Sequence, residues 1–506
     1  NYDRIYRLYL RGKMADSEFT GAWTAAPTAR AFIQEFPEVE NAVRMEAWDE
    51  TLVRIDSRKF IEDKVALADS SFFDVFSVKM LRGNPRQALN RPNTVVLTEK
   101  LAGKYFGNED PVGQHLRIGS DTSLFTITGV MENIPDNSHL EFDLLISFLS
   151  HPRSKDDYWL ANSFATYVLL KDGYTQQDLQ QKIPQIIEKY VGPQVQQVFG
   201  MDLSAFQQSG NEYGLYLQPL SDVHLNPEIQ GHFKKPNDRK YIFIFSAVAF
   251  LIIVVAGINY MNLSTARSMV RAREVGLRKV VGSSKGMLIR QFIIESVLLT
   301  FISLLFAIVL VELLLPVFNN MLQTSLTVGY FSNWYVIPGI FMLTLLVGFF
   351  SGSYPAWFLS SFIPVKVLYG KLRQGTSGTW IRSSLVVVQF AISIVLIMSS
   401  FVIYKQIRFM INKDLGFDKE QLLVIRRTNA ISKKMEPFKQ ELRKIPGVIN
   451  AANSTAVPGH PNNNNGFQME RRPPESTYMM WVNWIDYDYL QTYDIPLAEG
   501  RNFSRE

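Results

Sequence analysis

Four runs of sequence are long and apolar enough to cross a bilayer, and they constrain everything else: YIFIFSAVAFLIIVVAGINYMNL (241–263), QFIIESVLLTFISLLFAIVLVELLLP (291–316), YVIPGIFMLTLLVGFFSGSYPAWFL (335–359) and SSLVVVQFAISIVLIMSSFVIY (383–404). About 20 mainly apolar residues span the hydrocarbon, and a helix is the form in which such a run satisfies its own backbone groups without water. The average composition conceals this. Charged residues make up 20% of the chain, yet residues 241–263 hold none. Glu295 and Glu312 stand near opposite ends of the second run with 16 uncharged residues between them. Each can therefore reach an interface rather than cost roughly 2.5 kcal/mol or more at mid-bilayer.

Sidedness follows from Lys and Arg in the short loops. The stretch between the first two runs carries Arg267, Arg271, Arg273, Arg278, Lys279, Lys285 and Arg290, and that between the last two carries Lys366, Lys371, Arg373 and Arg382; between runs two and three there is none. The two basic loops are expected in the cytoplasm, with residues 1–240 and everything after 405 outside. Topology alone needs fewer than seven basic residues. Val270, Leu277 and Val281 share one helical face and Arg267, Arg271 and Arg278 another, with Gly276 a candidate break, which suits docking into a groove on a partner.

The polar first 240 residues read as a mixed α+β domain. Thr94–Leu97 form an apolar strand, Thr98 caps a helix that Gly107 ends, and Phe125, Ile127 and Gly129 alternate as in a half-buried strand. Part of this domain recurs. FPEVENA (36–42) matches IPGVINA (445–451), and DSSFFDVFSVKMLRGN (69–84) matches DYDYLQTYDIPLAEGR (486–501), with Asp69, Phe72, Phe76 and Gly83 opposite Asp486, Tyr489, Tyr493 and Gly500. The recurrence points to duplication. The second copy stops at Glu506, so the chain is expected to be a piece lacking a first helix and a C-terminal part.

Site chemistry is sparse. With no cysteine there is no disulfide framework or thiolate metal site. Gly282-Ser283-Ser284-Lys285-Gly286 fits the nucleophile-elbow spacing but lacks the preceding strand, so Ser283 or Ser284 reads as a helix N-cap. His139, Glu141 and Asp143 alternate as three ligands on one strand face would, a pattern shared by ordinary surface strands. No phosphate-cradling G-x-x-x-x-G-K-[ST] loop is present. The net charge of +5 sits largely beside apolar runs, which assigns it to membrane topology and not to nucleic acid.

ARSMVRAREVGLRKVVGSSKGMLIRQFIIESVLL resembles the cytoplasmic segment of MacB/FtsX-type ABC transporter permeases. VVLTEKLAGKYFGNEDPVGQHLRI with FTITGVMENIPDNSHLEFD looks like the MacB-like periplasmic core domain, and SYPAWFLSSFIPVKVLYG like the close of an FtsX-like unit. The resemblance implies α+β external domains on an α-helical transmembrane region in the bacterial inner membrane: core domain 1–240, FtsX-like region 241–370, cytoplasmic linker 371–382, a fourth span at 383–404 and a second core domain from 405. It implies a permease without its own ATP site or cofactor, working with a cytoplasmic ABC ATPase as a dimer of permeases or permease halves. The ATPase contact falls on Arg273, Glu274, Gly276, Arg278, Lys279 and Gly282. A membrane sensor or resistance module of the same architecture is the alternative.

Overall fold

The computed structural model describes residues 2–14, 17–119, 123–322, 324–361, 376–459, 464–468, 470 and 477–504. The chain divides into two compact units, residues 1–239 with 414–506, and residues 240–413.

The first unit is built on a mixed sheet. Its principal strands are β1 (Ile5–Met14), β2 (Val39–Trp48), β3 (Val65–Ala68), β4 (Thr94–Thr98), β5 (Leu124–Met131), β6 (Leu144–Ser147), β7 (Asn162–Leu170) and β8 (Glu212–Pro219). They run in the order β8-β1-β7-β2-β3-β6-β4-β5, continued by His115–Ile118, Thr51–Ile55 and Arg58–Glu62. Only the β3–β6 and β4–β5 pairs along this path are parallel. The period of two puts alternate side chains on opposite faces. Leu8 and Leu10 of β1 join the core around Phe32 and Leu179, whereas Ile5 joins Phe72, Phe142 and Tyr167 on the other face.

Helix α1 (Glu99–Phe106) forms as the sequence indicates. The Thr98 hydroxyl accepts from Leu101 N at 3.3 Å, and Gly107 ends the helix at φ 62°. Phe125 and Ile127 are buried in β5.

The two matched segments make the same local bonds. In the first, Arg44 N donates to Asp69 Oδ2 at 2.9 Å and Asp69 N returns to Arg44 O at 3.2 Å. In the second, Asn453 N donates to Asp486 Oδ2 at 2.8 Å and Asp486 N returns to Asn453 O at 3.0 Å. A one-turn helix follows each, Phe72–Val75 and Tyr489–Thr492, and Gly83 and Gly500 both take positive φ, 93° and 86°. The likeness stops after the turn, since Met80–Gly83 is a strand and residues 495–500 are not.

The second unit holds α2 (Arg239–Val280), α3 (Lys285–Leu322), α4 (Val336–Ser360) and α5 (Thr376–Asn412). Stretches of all four are long and apolar enough to cross a membrane. α2, α3 and α5 outrun the apolar stretches expected of them, while α4 matches its own within a residue. The basic stretch after residue 263 is largely a continuation of α2 and not a loop, and residues 376–382 belong to α5 rather than to a linker. Arg382 lies on α5, while Lys366, Lys371 and Arg373 lie outside the described residues. Small residues let α3 and α4 approach closely. A Cβ on Gly348 would lie 2.9 Å from Val297 Cα, and one on Gly352 would lie 2.6 Å from Ser296 Cβ. Tyr260 of α2 hydrogen-bonds Ser296 Oγ at 2.9 Å.

Candidate functional site

The basic residues picked out in the sequence gather where α2 turns into α3. Gly276 does not break α2; it is buried within it. The reason is packing: Val275 beside it is 2% exposed and meets Leu288 and Phe292 of α3 and Ala356 and Leu359 of α4. Burial on two neighbouring helices outweighs the helix penalty of one glycine, about 1 kcal/mol.

The real end comes at Gly282. Ser283 N donates to Arg278 O at 2.9 Å and Gly282 N to Lys279 O at 3.1 Å, the paired bonds of a Schellman cap, with Gly282 at φ 103°. Ser284 then opens α3, its hydroxyl accepting from Met287 N at 3.4 Å. Ser284 therefore serves as the N-cap, with a helix and no strand before it to make an elbow. Four residues, 281–284, join two long helices into a hairpin.

Polar contacts brace this hairpin. Arg278 Nη2 donates to Glu274 Oε1 at 2.6 Å along α2, and Nη1 to Gln291 Oε1 of α3 at 2.8 Å. Arg271 pairs with Glu295 at 2.8 Å, which gives that carboxylate a counterion. Lys279 Nζ donates to Ser360 O of α4 at 2.5 Å, and burial, with Lys285 a lesser cause, lowers its pKa. Arg273 lies on α2, but its side chain is outside the described residues. Glu274, Gly276, Arg278, Lys279 and Gly282 thus occupy one end of the bundle, where Arg278 and Lys279 tie helices together.

What faces outward at the tip is apolar. Leu277, Val280, Val281 and Met287 are exposed, Val281 to 83%, and Arg278, Lys285 and Arg290 of the same segment are exposed as well. The clamp residues Leu288, Ala356 and Leu359, and the bracing Gln291, escaped sequence reasoning because none differs in kind from an ordinary membrane-helix residue.

The other candidates separate in space. His139 hydrogen-bonds Tyr167 at 3.1 Å, Glu141 pairs with Lys64 at 2.8 Å, and Asp143 accepts from Thr98. They lie on no shared strand face, and no cluster suited to a metal occurs among the described residues.

Residues 2–186 match the MacB-like periplasmic core domain, and residues 246–364 match the FtsX-like permease C-terminal domain. The chain is 23% identical over 301 residues to the macrolide export ATP-binding/permease protein MacB of Pasteurella multocida, covering 59% of this chain and 41% of that protein. It is 31% identical over 127 residues to the uncharacterized ABC transporter permease YknZ of Bacillus subtilis, covering 25% and 30%. The chain thus spans less than half the length of either relative. Among solved structures, a domain of a putative permease protein from Porphyromonas gingivalis aligns with TM-score 0.38 and 24% identity over 48% of this chain and 97% of that one. The periplasmic core domain, the permease domain and the apolar helices follow in one chain, and the chain belongs to the MacB/FtsX-type ABC transporter permeases.

Proposed function

We propose that this permease receives ATP-driven motion from a separate cytoplasmic ATPase at the α2–α3 tip and passes it to its periplasmic domains, which move a lipoprotein, peptide or drug. The observation that carries this reading is the tip itself. Exposed apolar side chains beside exposed cations, on a turn closed by Gly282 and backed by the buried Val275, Leu288 and Phe292, suit contact with a partner. Exposed apolar groups surrounded by charge are typical of recognition surfaces.

The test compares Val281→Glu with Lys371→Ala in the permease reconstituted with its ATPase. Burying a carboxylate in an apolar contact typically costs 2 kcal/mol or more, roughly a thirty-fold loss of affinity. Val281→Glu is expected to insert normally but to lose the ATPase on gel filtration together with permease-stimulated hydrolysis, while Lys371→Ala keeps both. Equal retention by the two variants would remove the tip as the contact.

A further inference from the structure

Among the described residues no carboxylate pairs with the guanidinium that meets His232, the first residue of 232–238, the stretch through which the first unit continues into α2. Arg7 of β1 is fully buried. Its Nε and Nη2 donate to Gln218 Oε1 of β8 at 3.1 and 2.7 Å, and it hydrogen-bonds Tyr167 of β7. Its Nη1 lies 3.3 Å from His232 Nδ1. A guanidinium can only donate, so Nδ1 must accept, and the imidazole is neutral with its proton on Nε2. That Nε2 is buried and makes no hydrogen bond of full geometry among the described residues, although the Ile229 and Asn226 carbonyls act on the ring.

Among the described residues, the groups facing this site carry no negative charge. β1 contributes Arg7, β7 Tyr167, β8 Gln218, the segment before β6 His139, and the chain just before the stretch His224. Burial first, and Arg7 next, push the His232 pKa down to about 4 against the opposing pull of the Ile229 and Asn226 carbonyls. A protonated His232 would aim a second N–H at Nη1, setting two donors and two positive charges face to face. It has to leave.

Asn237 Nδ2 lies 3.3 Å from His224 Nε2. Phe233 is partly buried against the core, Lys234 Nζ donates to Asp136 O, and Asn237 N donates to His224 O at 2.8 Å. We propose that residues 232–238 form a proton-operated clasp: neutral His232 fastens them to Arg7, and protonation of His232 frees them. This stands whether or not the α2–α3 tip binds an ATPase. Because the seated pKa lies below the ordinary value near 6.5, the clasp is fully closed above about pH 6.5 and weakens as pH falls toward 4. Between those limits the released population grows by up to about ten-fold per pH unit.

The chain has no cysteine, so a spin label on Lys235→Cys, an exposed position, reports the stretch alone in the full chain in nanodiscs. The label is expected to be immobilised at pH 7.5 and to show a growing mobile component below about pH 6.5 while circular dichroism stays constant. His232→Gln, which keeps an acceptor for Arg7 but cannot titrate, should stay immobilised throughout. A persisting transition in His232→Gln, an immobile wild type at pH 4.5, or loss of circular dichroism over the same range overturns the proposal. If His232→Gln does not seat at pH 7.5, Arg7→Gln decides: the midpoint must rise by a pH unit or more, and an unmoved midpoint overturns it.

Discussion

Asp69 and Asp486 do the same backbone work with different counterions. Asp69 is met by Arg44, whose Nη2 lies 2.8 Å away and whose guanidinium stacks over Phe148 at 4.2 Å. At Asp486 the matching position is Asn453, and the charge comes instead from Lys439, 3% exposed and 2.6 Å away. Asp488 shares that lysine at 2.5 Å. Asp69→Asn therefore strands a largely buried guanidinium and should cost about 3 kcal/mol. Asp486→Asn leaves Lys439 with Asp488 and should cost about 1 kcal/mol. Denaturant midpoints of the two variants check this, and equal losses would show that Asp488 does not take over. The aspartates were legible because an anchoring carboxylate, two aromatics and a glycine recur in fixed order. The exchange of arginine for lysine was not, since Lys439 comes from a different segment, the helix Met435–Arg443.

Among the elements, glycines with different surroundings separate packing from propensity. Gly348 and Gly339 both lie in α4, but a Cβ on Gly348 meets Val297 backbone, whereas one on Gly339 meets nothing within 4 Å. Gly348→Ala should push α3 and α4 apart and lower stability by 1–3 kcal/mol, roughly the cost of overpacking. Gly339→Ala should be neutral or slightly stabilising. Thermal unfolding in detergent measures both, and matching behaviour would mean that α3 and α4 do not touch at Gly348. The continuity of α2 was hidden for a related reason. A glycine amid alternating charges reads locally as a loop, and only the burial of Val275 against Leu288 and Leu359, far along the chain, makes it helix. Caps such as Thr98 and Gly107 act within one turn of chain and were readable directly.

For the whole molecule, the succession of a mixed α+β domain and four apolar helices was legible and the order of the strands in the sheet was not. β7 lies between β1 and β2 although more than a hundred residues separate it from either, and no local pattern encodes that choice. Sidedness can be measured on the cysteine-free chain. Phe331→Cys, 93% exposed between α3 and α4, should react with an impermeant thiol reagent from outside intact cells, and Ser284→Cys should react only after permeabilisation. The reverse pattern would invert the charge-based topology.

The unbroken α2 carries a mechanical consequence. At 1.5 Å per residue, its 42 residues form a rod about 63 Å long, roughly twice the hydrocarbon thickness. A rod is a lever. Tilting it by about 5° about one end sweeps the other through about 5 Å, the height of one helical turn. A kink at Gly276 would uncouple the last turn from such a tilt, and the unbroken helix keeps the two ends moving together.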